Sequence, residues 1–148
     1  MRWLSFHLSA EDNIVNHPLI DVSVTSDPIF QASLLADTLC DCGALAEFRG
    51  IVRGIENGVQ IVGLRYELYE VMALSEMRRI LEELAQEHSF EKAVVIHRYG
   101  FIPVGETAVY VGVLAKHRGE AFALLSEFMN LLKKDVPIWK TEAVPNLT

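Results

Sequence analysis

The run GALAEFRGIVRGIENGVQIVGLRYELY, residues Gly43 to Tyr69, decides the fold class of this chain. Gly43–Val52 reads as a strand and Gln60–Tyr69 as its returning partner. Between them stands Asn57-Gly58, the dipeptide that accepts a positive φ at both centres of a tight hairpin turn. Upstream, Ile20–Thr25 alternates apolar and polar like a half-buried strand. Ser26-Asp27-Pro28 then offers a polar cap followed by proline at a first helical position, predicting a helix over Ile29–Leu39. Downstream of the hairpin, Ala73, Met77, Ile80, Leu81 and Leu84 share one helical face, with Glu76, Arg79, Glu82, Glu83 and Gln86 on the other. Lys92–Tyr99 and Thr107–Ala115 follow as apolar strands joined by a Gly/Pro loop, Gly100–Glu106. A last helix spans about Gly119 to Lys134, with Phe122, Leu125, Met129 and Leu132 as its buried face, and Pro137 stops it before a short extended tail. The order β-α-β-β-α-β-β-α-β, without repeat, linker or low-complexity tract, predicts one α+β domain: a mostly antiparallel sheet with helices packed on it.

Composition narrows the function. The 148 residues carry a net charge of −7, with 51% hydrophobic and 22% charged residues, enough for one self-sufficient core. A pI near 5.2 argues against nucleic acid as a partner. No apolar stretch approaches the ~20 residues of a membrane span, and Met1–His7 is too short and too soon acidic for a signal peptide. A cytoplasmic protein is expected. Cys40 and Cys42 stand too close for an easy disulfide and have no further cysteine to complete a zinc site, so they read as reduced thiols. His7, His17 and His88 have no partners at ligand spacing, and no metal or cofactor is expected.

Against this acidic background, the segment from Lys116 to Lys140 holds five Lys/Arg and only three Asp/Glu. A basic cluster on an acidic protein suits a pocket for a small anion. Lys116-His117-Arg118 sits where a strand hands over to a helix, where free N–H groups and the helix dipole favour phosphate or carboxylate; a solvated cationic turn is the plainer reading. Lys133 and Lys134 close the same helix, a placement the dipole favours without any function. Lys140 differs because Pro137 and Trp139 hold it rigidly, and a lysine fixed near apolar walls and other cations can serve as acid, base or nucleophile. Arg49 and Arg53 flank Gly50 and Gly54, which read either as backbone access for an anion or as a bulge and a turn. His97 and Arg98 end a strand and read as structural. The helix from Arg118 to Lys133 is roughly 22 Å long, so cations at its two ends cannot meet on one small substrate in a single copy. If both serve one site, a two-fold dimer must bring one copy's helix start beside the other's helix end.

Taken in order, several segments carry a resemblance. They are Gly43-Ala44, Phe48-Arg49-Gly50-Ile51-Val52-Arg53, Leu64-Arg65-Tyr66-Glu67, Val95-Ile96-His97-Arg98-Tyr99-Gly100, Pro103-Val104-Gly105-Glu106, Val111-Gly112-Val113 with Lys116-His117-Arg118, and Leu132-Lys133 through Pro137-Ile138-Trp139-Lys140-Thr141-Glu142. From about Gly43 to Pro145 the chain resembles the large, catalytic subunit of molybdopterin synthase. The resemblance implies an α/β-hammerhead-type fold and a homodimer flanked by two small ubiquitin-like sulfur-carrier subunits. Each carrier would insert a C-terminal Gly-Gly thiocarboxylate, and the substrate would be cyclic pyranopterin monophosphate, which receives two sulfurs to become the molybdopterin dithiolene. It further implies Lys133 and Lys140 as catalytic residues, Phe48, Arg53 and Met129 as pocket lining, and His117 and Arg118 as anion-holding groups reaching in from the other copy. Relative to the family pattern, the sequence stops at Thr148 without a longer aromatic and basic tail. The turn Gly54–Gly58 is also less polar, and about the first 20 residues lie outside the resemblance. A catalytically silent docking module for a ubiquitin-like carrier and a small-molecule anion sensor are the competing readings.

Overall fold

A computed structural model describes residues 17–30 and 41–148 of the chain. The elements are β1 (Leu19–Thr25), β2 (Ala44–Ile51), β3 (Ile55–Glu56), β4 (Val59–Leu68), α1 (Glu70–Leu84), β5 (Lys92–Arg98), β6 (Gly100–Pro103), β7 (Thr107–Ala115), α2 (Arg118–Asp135) and β8 (Ile138–Pro145). Apart from Ile29 and Phe30, which carry no regular structure, the helix expected over Ile29–Leu39 lies outside the described residues, as does Cys40. The strands form two sheets. One has the order β1-β5-β7-β2, with β1 parallel to β5 and the other pairs antiparallel. The other is wholly antiparallel and gathers β3, β6 and β8 around β4.

Side-chain alternation explains how the first sheet is covered. Ala93 and Val95 of β5, with Val109, Val111, Val113 and Ala115 of β7, join the buried faces of α1 and α2 in the main core. The intervening Val94, Tyr110 and Leu114 point to the other face and form a smaller cluster with Ile29 and Cys42. All five residues expected on the inner face of α1 are buried there. Helix α2 is rolled by one residue from the expected face: Ala121, Leu124, Phe128 and Leu132 are buried, whereas Phe122 is 63% exposed. Leu125 and Met129 pack only at the core's margin. The two apolar stripes interleave on one helix, and the fully enclosed Phe128 and Leu124 settle the roll, each contributing about 1.5–3 kcal/mol by burial.

The hairpin forms as the sequence predicts, with Asn57 at φ 50° and Gly58 at φ 79°. The segment Gly100–Glu106, expected as a loop, instead places the four-residue strand β6 against β4, with Gly63 opposite Pro103. The extended tail is the strand β8, on the same β4. Gly63 makes that crowding feasible: a Cβ there would stand 2.5 Å from the Phe101 ring and 2.6 Å from the Ile102 carbonyl oxygen. Beyond α1, His88 joins the two helices: its Nε2 lies 3.1 Å from Glu127 and its Nδ1 3.5 Å from Glu120, which also accepts the Ser89 N–H. The Glu127 carboxylate, helped by Glu120, pushes the imidazole pKa above its ordinary value against the opposing effect of partial burial.

Two outcomes are expected. Gly63→Ala should lower unfolding free energy by about 1–3 kcal/mol in a denaturant titration, because a ring can swing aside but a ladder carbonyl cannot; unchanged stability would contradict the crowding. For His88, the raised folded-state pKa means that its stabilisation is fully present below the unfolded-state pKa and fades as pH rises through the folded one. His88→Gln should therefore destabilise more at about pH 6 than at about pH 9, and an equal loss at both would remove the ion pairs from the account.

Candidate functional site

Near the end of β2, pairing passes from Gly50 opposite Val109 to Ile51 opposite Thr107, so Ala108 is an extra residue on β7; beyond it Val52 turns into the second core cluster and Arg53 remains exposed. A cleft of 590 Å³ opens there. Its walls are the end of β2, Arg53 and Glu56 of the following hairpin, Leu64 and Tyr66 of β4, His97 of β5, the last turns of α2, and Ile138 and Lys140 of β8. Five of the seven residues singled out from the sequence line it: Phe48, Arg53, Met129, Lys133 and Lys140. The roll of α2 matters here, because Met129 and Lys133 are one turn apart beside buried Leu132 and so share the flank that meets the cleft.

Lys140 arrives through an irregularity. Pairing between β4 and β8 passes from Arg65 opposite Glu142 to Tyr66 opposite Lys140, so Thr141 is an extra residue on β8. Such bulges re-aim neighbouring side chains. The Thr141 hydroxyl donates to the Arg65 carbonyl at 3.3 Å. Lys140 donates from Nζ to Glu56 Oε1 at 2.6 Å, and this bond holds the Glu56 carboxyl below the usual carboxylate range, with burial opposing it and Arg53 adding to the effect. Tyr66 is pushed up by burial, with Lys140 acting against the rise, so its phenol stays neutral at neutral pH. His97 is buried, and its pKa is lowered by that burial; Nδ1–H donates to the Arg98 carbonyl at 2.9 Å. Tyr66 meets the His97 ring edge-on, with centroids 5.8 Å apart.

His117 and Arg118 do not reach this cleft. They stand exposed at the start of α2, His117 as the N-cap with no side-chain cap bond, and the helix separates Arg118 from Lys133 by roughly 22 Å. Lys116, beside them, pairs with Asp41 at 3.1 Å. Arg49 lies over the Tyr110 ring at 4.8 Å, on the other side of β2 from Phe48, and the Tyr110 hydroxyl donates to Glu47 at 2.5 Å. Arg98 is buried and pairs with Glu106. Lys134 does not line the cleft. Among the described residues, Glu87, His88 and Glu127 place metal-ligand atoms within 4.8 Å of one another, a through-space grouping that His88's sequence neighbours do not reveal, and none of them lines the cleft.

The cleft thus holds three cations and one carboxylate, and among the described residues neither Arg53 nor Lys133 has an ion-pair partner. That excess suits an anion. Three further wall residues, Glu56, Tyr66 and His97, were not read as functional from the sequence. His97 was expected to be a satisfied buried histidine, and it is one, yet its ring also forms part of the wall.

Comparison with known proteins agrees with the fold. The family described as MoaE protein matches residues 24–135. The molybdopterin synthase catalytic subunit of Oryza sativa subsp. indica is 40% identical over 100 residues, which cover 68% of this chain and 52% of the relative. The protein of the same name from Thermoplasma volcanium is 33% identical over 106 residues, 72% of this chain and 77% of the relative. The chain spans about half the length of the plant and human relatives that it matches. The crystal structure of molybdopterin synthase from Staphylococcus aureus superposes with a TM-score of 0.77 at 27% identity, covering 84% of this chain and 91% of that one.

The charge arrangement has a direct check. Following the Glu56 side-chain carboxyl carbon by NMR should give a titration midpoint below that of an ordinary glutamate, moving up in Lys140→Ala. A folded pKa that is depressed means that the ion pair is present at neutral pH and is lost as pH falls through it. An unshifted midpoint in the wild-type protein would break the pairing.

Proposed function

Because the chain belongs to the MoaE protein family, we propose that it is the catalytic subunit of a molybdopterin synthase. In this reading it moves sulfur from the C-terminal Gly-Gly thiocarboxylate of a small ubiquitin-like carrier to cyclic pyranopterin monophosphate, twice per product, forming the dithiolene of molybdopterin. The observation that carries the reading is the cleft in which Arg53, Lys133 and Lys140 converge on an otherwise acidic protein. A thiocarboxylate and a cyclic phosphate repel one another, and several fixed cations are needed to seat both.

The residues divide the work by position. Sulfur leaving an acyl carrier passes through an oxyanion, and the unpaired ammonium of Lys133 is the group assigned to stabilise it. Lys140 serves as the acid–base partner as oxygen leaves the pterin side chain. Phe48 and Met129 supply apolar wall and Arg53 a further anion contact. His117 and Arg118 enter from the second copy of a homodimer, since α2 keeps them too far from Lys133 of their own chain; the uncapped first turn of α2 would add its free N–H groups to their charge.

A single-turnover reaction with thiocarboxylated carrier and cyclic pyranopterin monophosphate should yield molybdopterin. Lys133→Ala and Lys140→Ala should each slow it by on the order of 100-fold or more while carrier binding persists. A stable carrier complex that makes no product would sink the catalytic reading and leave a docking module.

A further inference from the structure

We infer that Glu56 is a positioning residue for Lys140, fixing its ammonium group over the cleft ready for the acid–base role. This rests on the reading given under the proposed function and adds to it a residue that acts only through another. The two residues are 84 positions apart, yet the carboxylate oxygen and Nζ stand at 2.6 Å. Glu56 has the rigid end of the pair. It belongs to the two-residue strand β3, in register with Val59 across the Asn57-Gly58 turn, whose positive φ angles leave little freedom. Its side chain is 16% exposed, against 41% for Lys140. Lys140 has the mobile end, contrary to the rigidity expected of it from Pro137 and Trp139: four methylenes on a largely exposed strand, beside a bulge. Without a partner such a side chain spreads over many rotamers. Exposed ion pairs add little to stability, so the consequence of this one lies in where it leaves the ammonium.

The surroundings leave Lys140 as Glu56's direct partner. Arg53, just before the hairpin, adds attraction without an ion-pair contact. Tyr66 on β4 and His97 on β5 are neutral, and Lys133 on α2 lines the cleft without pairing. Glu56 also sets a negative charge among the cations that must receive anions. It therefore has two opposed effects: it orients Lys140 for the chemical step and weakens the cleft's hold on anionic substrate.

Two measurements test this with Glu56→Gln, which keeps the shape and removes the charge. Kinetically, kcat should fall about tenfold while KM for cyclic pyranopterin monophosphate falls or holds, and in a Lys140→Ala background the same substitution should leave kcat unchanged. Spectroscopically, the Lys140 side-chain ammonium resonance, protected in the wild type, should be lost to exchange in Glu56→Gln. An equal kcat loss in both backgrounds, an unaltered kcat in Glu56→Gln, or an unchanged ammonium resonance would each overturn the proposal. Should wild-type protein give no product at all, the synthase reading fails, and the resonance alone decides whether Glu56 positions Lys140.

Discussion

Phe128 and Leu124, wholly enclosed against the sheet, fix the roll of α2 about its axis, and the cleft inherits its shape from that choice. A helix with two interleaved apolar stripes could seat either one. Seating the stripe of Ala121, Leu124, Phe128 and Leu132 leaves Phe122 in solvent and turns Met129 and Lys133 toward the hairpin. Close packing makes such a choice discrete, because an intermediate roll would open voids beneath Phe128 and Leu124. The position of a charged group at the cleft is thus decided by which apolar residues seat in the core.

The cleft's other cations come by different routes. Arg53 follows the end of β2 where β7 bulges at Ala108, and Lys140 sits at a bulge in β8, so both are placed where regular pairing breaks down. Local departures from the ladder re-aim side chains at little cost to the sheet. Buried His97 and half-buried Tyr66 stay neutral in the cleft wall, so the charge of the site lies on Arg53, Glu56, Lys133 and Lys140. On a protein with a net charge of −7, three converging cations make a short-range attraction, screened beyond roughly 8 Å at physiological salt. A large anion is not drawn in from afar by such a site, whereas a small one already at the cleft is attracted.

Much of this was legible in the sequence, and unevenly so. Asn57-Gly58 announced its hairpin because few dipeptides tolerate two positive φ angles. The inner face of α1 was readable residue by residue because its other side is solidly charged. On α2 polar and apolar residues mix, so periodicity allowed two answers and tertiary packing chose between them. Strand β6, four residues between Gly100 and Pro103, was masked by its own punctuation. Five of the seven site residues drawn from the sequence meet in the cleft, whereas His117 and Arg118 lie at the far end of α2, as its length requires. Glu56 carried no sequence signal, since a pairing that spans 84 positions leaves no local pattern.

Strand β8 has a bearing on how the protein behaves between its folded and unfolded states. It pairs as a strand only with β4, and most of its side chains face solvent, so little apolar burial holds it in place. The helix-covered sheet, with its continuous core, takes from it only the partly buried Ile138. Segments tethered mainly by exposed backbone hydrogen bonds open locally at a free energy below that of global unfolding. Peeling of this last strand would carry Lys140 away and leave the rest standing. Under mild stress the cleft would therefore lose one of its three cations before the fold as a whole is lost.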